Sequence, residues 1–240
     1  MRYEKNEKLS RLIENKRIVI AGPGQYLVGK GLGNVINDYD VVCRINYMSP
    51  NEYVNDYGNR TDIMFYNCAT LSIKQMGQHF DKCPDFCKNT KLVVCPVVKG
   101  VGADPWREWS SDYISPVVAN FESINEHNID FYWIGMENYK CLFDMVNCLE
   151  PNSGILTILT ILAHNPKELF ITGFTFYVNK DDNYFNGYAT LPEGWKGVSG
   201  HPQGPQREFF KNYILAQSGL KIDSYMNELL KFNHNNIYVL

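Results

Sequence analysis

No apolar run in the chain is long. The longest lies near residues 155–163 and carries Thr157 and Thr160, well short of the roughly 20 residues that cross a bilayer. A transmembrane segment is therefore not expected. The opening residues, Met1-Arg2-Tyr3-Glu4-Lys5-Asn6-Glu7-Lys8, hold no apolar core of a leader, so neither signal peptide nor anchor is expected. Positive charge is not in excess either. Lys and Arg number 23 against 26 Asp and Glu, for a net charge of -3, whereas a general nucleic-acid binder is usually basic. Among the seven cysteines only Cys83 and Cys87 sit close together, which excludes the paired short spacings of a zinc site. An odd count with no secretion signal fits reduced thiols and a soluble, cytoplasmic protein. Repeats, low-complexity stretches and linkers are missing as well, so residues 1–240 are read as one domain. With 240 residues, 45% of them hydrophobic, such a domain can bury a sizeable core.

What is present begins with Arg17-Ile18-Val19-Ile20-Ala21, a β-branched run that reads as a strand buried on both faces of a parallel sheet. A glycine-rich turn follows, from Gly22-Pro23-Gly24 through Gly29-Lys30-Gly31-Leu32-Gly33. Its glycines let the backbone turn sharply and come close to something, most simply a phosphate. Residues 7–16 read as an amphipathic helix, with Leu9, Leu12 and Ile13 at helical spacing. Further strands are expected at 40–46, 62–66, 92–96, 131–135, 168–173 and 236–240. Helices are expected at 137–148, at 155–164 with Asn152 or Ser153 as N-cap, and at 206–218. The polar segment 178–200 reads as a long, lid-like loop. Strands alternating with helices predict an α/β fold: a single Rossmann-like, doubly wound, mostly parallel sheet.

Two common phosphate-binding patterns fail on this turn. For the dinucleotide fingerprint, Gly22 and Gly24 fit, but Leu27 stands at the third glycine and the second strand ends Arg44-Ile45-Asn46 without an acid. For the P-loop, residues 24–30 fit, but Gly31 replaces the Ser or Thr that ligates magnesium. The segments 18–33 and 38–46 together resemble the long sialylmotif of sialyltransferases, in which an apolar strand and a spaced glycine turn lead to Arg-x-Asn. Pro151-Asn152-Ser153-Gly154, with Leu169-Phe170-Ile171-Thr172-Gly173-Phe174, is similar to the short sialylmotif. Gly200-His201, with Glu208 further on, resembles the last motif. Phe65-Tyr66-Asn67, and Phe176-Tyr177 through Tyr184, are similar to the bacterial branch. The chain is thus identified as resembling the sialyltransferase superfamily, family 29-like with features of family 42. Pro23 stands where the family usually has Asn. Ile18 and Asn165 stand near the family's disulfide positions, which points to a bacterial-like or viral member.

That resemblance implies a GT-A-like variant of the sheet and an inverting, metal-independent glycosyltransferase. It would move sialic acid, or a related ulosonic acid such as Kdo, from a CMP-sugar to a glycan hydroxyl. No cofactor beyond this donor and no metal are expected, the adjacent Asp181 and Asp182 being read as solvated. His201 is the expected general base, since an imidazole titrates near working pH. Tyr177 and Tyr184, with Tyr188 as a substitute for the latter, would stabilise the departing phosphate. Gly22, Gly24, Asn46, Asn67, Ser153, Gly154 and Gly173 would bind the donor. Ser153 and Gly154 open a helix whose free N–H groups favour an anion, and Asn46 ends a strand where open α/β sheets place ligands. Two other readings stand beside this one: a nucleotide-binding module without catalysis, and a magnesium-dependent P-loop enzyme. Oligomeric state, including a homo-oligomer, is left open.

Overall fold

A computed structural model describes residues 2–46, 53–68, 73, 76–77, 80, 89–96, 114–146, 151–176, 203–230 and 238–239. Among the described residues eight strands form one sheet: β1 (Arg17–Ala21), β2 (Val41–Ile45), β3 (Ile63–Phe65), β4 (Leu92–Cys95), β5 (Asp130–Trp133), β6 (Glu168–Thr172), β7 (Leu220–Ile222) and β8 (Tyr238–Val239). Their spatial order is β5-β4-β3-β2-β1-β6-β7-β8, and every pairing is parallel. The chain therefore winds outward from β1 to β5, returns to the other side of β1 with β6, and winds outward again.

The helices are α1 (Glu7–Ile13), α2 (Gly33–Asn37), α3 (Val54–Tyr57), α4 (Ile114–Glu122), α5 (Met136–Val146), α6 (Ser153–Ala163), α7 (Gln203–Phe209) and α8 (Ser224–Leu230). A π-helical turn, Phe210–Ile214, continues α7. Alternate residues of β1 point to opposite faces, and each face meets its own cover. Ile18 and Ile20 join Leu9 and Ile13 of α1 and the apolar residues of α5 and α6 in the largest core cluster. Val19 and Ala21 join Ile36 of α2 and Tyr39 on the other face. Further along that face, Met64 and Val93 pack with Phe121 of α4. Two covered faces explain why β2 is buried at all five positions and β1 and β6 at four of five. They also explain the unusual composition of α6, whose residues 155–161 are all buried.

Asparagines turn the chain where elements end. Asn15 follows α1 at φ 58°, Asn165 follows α6 at φ 54°, and Asn46 follows β2 at φ 54°, a left-handed conformation that Asn tolerates better than most residues. The expected strands and helices all form within the described residues, with bounds shifted by a residue or a few. The helix expected at 206–218 starts earlier, at Gln203, and changes to π geometry at Phe210. The sequence reading did not include α3, α4, β7 or α8.

Candidate active site

The winding reverses between β1 and β6, so the loops leaving their carboxyl ends part to opposite sides. Open α/β sheets bind ligands at such a switch point. Gly22 and Gly24 follow β1, and Gly173 follows β6. Gly22 N–H donates to the Thr172 carbonyl at 2.8 Å, and Gly24 N–H to the Gly173 carbonyl at 2.9 Å. A Cβ on Gly173 would stand 2.2 Å from the Gly22 carbonyl oxygen, and one on Gly22 would stand 2.5 Å from that of Gly173. Gly173 also has φ +80°. What these glycines come close to is each other's backbone: the expected need for close approach is met by the protein itself. The aromatic ring of Phe174 covers the same spot, 3.1 Å from a Cβ on Gly22 and 2.7 Å from one on Gly154.

Gly154 lies in the first turn of α6. Asn152 caps this helix, its side-chain oxygen accepting Ile155 N–H at 2.9 Å, so Asn152 and not Ser153 is the N-cap. Asn152 N–H in turn donates to Oε1 of Gln206, 2.8 Å away on α7 and fully buried. Phe176 packs edge-on against Phe210, with ring centroids 5.0 Å apart.

A buried polar network secures the turn. The Tyr26 hydroxyl donates to Oδ2 of Asp223 at 2.5 Å and accepts Gly173 N–H at 2.7 Å. Burial first, and the Asp223 charge second, push the Tyr26 phenol well above its ordinary value, so it stays protonated and donates. On the other flank, the Tyr57 hydroxyl donates to the Gly24 carbonyl at 2.7 Å, and Oδ1 of Asp56 accepts Gly31 N–H at 2.9 Å. The segment holding Tyr57 is itself held by Arg44, which is fully buried in β2. Its guanidinium donates to the Tyr57 carbonyl at 2.6 Å, the Arg60 carbonyl at 3.0 Å and the Thr61 hydroxyl at 2.8 Å. Arg44 of the Arg-x-Asn sequence thus acts inside the fold, tying β2 to the segment that leads into β3.

Asn46 and Asn67 end β2 and β3, next along the same edge from β1. The Asn46 side-chain oxygen accepts Asn67 N–H at 3.2 Å, so the two expected donor residues are joined. Gly22 and Gly154 both meet the Phe174 ring, Gly24 and Gly22 touch Gly173, and Ser153 opens α6 next to Gly154, while Asn46 and Asn67 stand at the neighbouring strand ends. His201, Tyr177, Tyr184, Tyr188 and the 178–200 segment lie outside the described residues. Glu208 is exposed on α7, with Lys211 at 3.7 Å. Among the described residues no cluster of three His, Cys, Asp or Glu could hold a metal ion, and no helix is long and apolar enough to cross a membrane.

Sequence reasoning missed Tyr26, Tyr57, Thr172, Gln206 and Asp223. Asp223 carried a signal, an acid between the short apolar run 220–222 and a helical stretch, which is an N-cap position. The others have no local signature, because their partners lie far along the chain.

The chain is similar to known proteins in sequence over part of its length and in fold over most of it. Residues 4–100 match the model of glycosyltransferase family 29 (sialyltransferase). A stretch of 55 residues is 44% identical to CMP-N-acetylneuraminate-beta-galactosamide-alpha-2,3-sialyltransferase 4 of Rattus norvegicus, and equally to that of Mus musculus. Each match covers 22% of this chain and only 16% of the relative's length. The fold is similar, over 98% of this chain and 75% of the other, to a crystal structure of a mammalian sialyltransferase in complex with Gal-beta-1-3GalNAc-ortho-nitrophenol, with a TM-score of 0.52 at 15% identity. Residues 4–100, which include β1 to β4 and the glycine turn, thus match the family 29 model, and the sheet has a fold similar to that of a solved sialyltransferase.

Proposed function

We propose that the chain is a glycosyltransferase that moves sialic acid, or a related ulosonic acid, from a CMP-sugar to a glycan hydroxyl. The observation that carries this reading is the meeting of Gly22, Gly24, Gly173 and the α6 N-terminus at the β1/β6 switch point. These were singled out in the sequence as donor residues, and they come from segments 130 residues apart (Gly24 and Gly154). An anion at the start of α6 would face free N–H groups and the positive end of the helix dipole. A single-phosphate donor suits one such site. The glycine contacts bring the β1 and β6 turns together beside the Phe174 ring, a floor against which a nucleotide could lie.

In this reading His201 removes the proton from the acceptor hydroxyl as that oxygen attacks the anomeric carbon, and CMP leaves from the opposite face. Configuration is therefore inverted in one displacement through an oxocarbenium-like state. Tyr177 and Tyr184 donate to the departing phosphate, whose developing charge needs fixed donors, and no metal takes part. Asn46 and Asn67 contact the nucleotide from the strand ends.

The test is incubation with CMP-sialic acid or CMP-Kdo and a panel of glycan acceptors, with products followed by mass spectrometry and anomeric configuration by NMR. Transfer that survives EDTA, inverts configuration and is lost in His201→Ala, while CMP binding persists, is the expected result. Normal transfer by His201→Ala refutes the assigned base. Absence of CMP binding by the wild type refutes the donor.

A further inference from the structure

Asp223 follows β7 and caps α8, its Oδ1 accepting Met226 N–H at 2.8 Å. Capping a helix needs one oxygen. The other, Oδ2, accepts two hydroxyls at once: Tyr26 at 2.5 Å and Thr172 at 2.6 Å. Asp223 is 3% exposed, so these bonds are made away from water, where hydrogen bonds to a charged group are strong and directional. Tyr26 belongs to the glycine turn after β1, Thr172 is the last residue of β6, and Asp223 follows β7. Three loops that leave three adjacent carboxyl ends are therefore tied to a single carboxylate. The Tyr26 ring is also clamped, stacked on Tyr225 of α8 with centroids 4.0 Å apart and an interplanar angle of 18°. The cap of a seven-residue helix gives no reason for either hydroxyl partner.

We propose that Asp223 is a positioning residue of the donor site: acting through Tyr26 and Thr172, it sets the separation between the glycine turn and the end of β6 across which the CMP phosphate is held. This rests on the CMP-sugar reading above. The hydroxyl of Tyr26 is the joint, since it donates to Asp223 and accepts from Gly173 N–H, so loss of the carboxylate or of the phenol frees the same two backbones. Thr172 ties β6 to Asp223 directly, which leaves β6 anchored when Tyr26 alone is changed.

Two variants test it. Tyr26→Phe keeps the ring and removes the hydroxyl; Asp223→Asn keeps the shape and an oxygen for Met226 N–H. CMP affinity is measured by isothermal titration calorimetry, and amide hydrogen exchange is compared between residues 22–31 and strand β2. Both variants should weaken CMP binding by about tenfold, the size of one lost hydrogen bond to a charged group. Exchange should accelerate in 22–31 and not in β2, and the donor KM should rise with kcat held. Wild-type affinity in both variants, or exchange that rises equally in β2, overturns the proposal. If Asp223→Asn does not fold, Tyr26→Phe decides alone. A wild type without CMP affinity refutes the CMP-sugar reading and the donor role with it, whereas unchanged affinity in variants of a CMP-binding wild type refutes only the role of Asp223.

Discussion

Replacing Gly173 by Ala separates two reasons for a glycine at a nucleotide turn. If Gly173 is there to admit a ligand, the empty protein should tolerate a methyl group. If it is there because two backbones touch, the empty protein should suffer. The geometry favours the second. At φ +80° an L-residue is strained, at a cost of about 1–2 kcal/mol. The new Cβ would also stand 2.2 Å from the Gly22 carbonyl oxygen, forcing a backbone shift of the kind that overpacked cores show, about 1–3 kcal/mol more. Together these destabilise by roughly 2–5 kcal/mol, which in a chain of this size lowers the melting temperature by about 4–20 °C. Two controls divide the terms. Gly29 has the same φ of +80° but open space around its Cβ, so Gly29→Ala should show the strain alone, about 1–2 kcal/mol. Gly204, exposed in the first turn of α7, has neither constraint, and Gly204→Ala should stabilise by about 0.4–1 kcal/mol. Urea unfolding of the ligand-free proteins should rank them Gly173→Ala, Gly29→Ala, wild type, Gly204→Ala, from least to most stable. A Gly173→Ala protein with the wild-type midpoint and reduced CMP affinity would refute the backbone-contact argument.

Arg44→Met should destabilise by about 2–6 kcal/mol in urea unfolding, because the carbonyls of Tyr57 and Arg60 lose a donor and each such orphan costs about 1–3 kcal/mol; a change under 1 kcal/mol would contradict it. His164 should make the fold acid-sensitive. It is buried, its Nε2 accepts Asn6 N–H and its Nδ1 meets the Thr160 carbonyl, so the fold needs the neutral ring. Burial, with Lys5 adding to it, lowers its pKa beneath 6.5 against smaller opposing effects of Thr160 and Glu14. Its contribution is then full above pH 6.5 and is lost as pH falls from there. The melting-temperature advantage of wild type over His164→Gln should shrink between pH 7.5 and 5.5, and a constant difference would refute the assignment. Asn152→Ala should cost about 1 kcal/mol by thermal unfolding, as loss of an N-cap does.

Much of the scaffold was legible because parallel strands covered on both faces write themselves as short apolar runs. Ile18-Val19-Ile20, Val41-Val42-Cys43 and Leu169-Phe170-Ile171 could hardly be anything else. The helices of the outer layers were less visible: α4 follows a stretch with no clear period, and β7 is only three residues long. At the site, glycines and the α6 cap announced themselves through local geometry, since a turn or a helix start needs particular residues wherever it occurs. Tyr26, Tyr57 and Gln206 act on partners 147, 33 and 54 positions away, and no spacing rule reaches that far. Arg44 could be seen as part of a motif, but nothing local indicated that its guanidinium would turn inward to hold Tyr57 and Arg60. The purpose of Gly22 and Gly173 was legible only in part, because that each answers the other is a fact of strand pairing.

The central strand has a consequence for how the protein is made. Arg17 of β1 aligns with Glu168 of β6, so during synthesis one flank of β1 waits unpaired until the chain has grown well past the outer strands of the first half. An uncovered apolar flank is a template for joining another molecule, and pairing across so long a loop is slow. Nascent chains stalled before residue 168 should therefore lean on chaperones, and the glycine junction can close only after β6 has arrived to complete it.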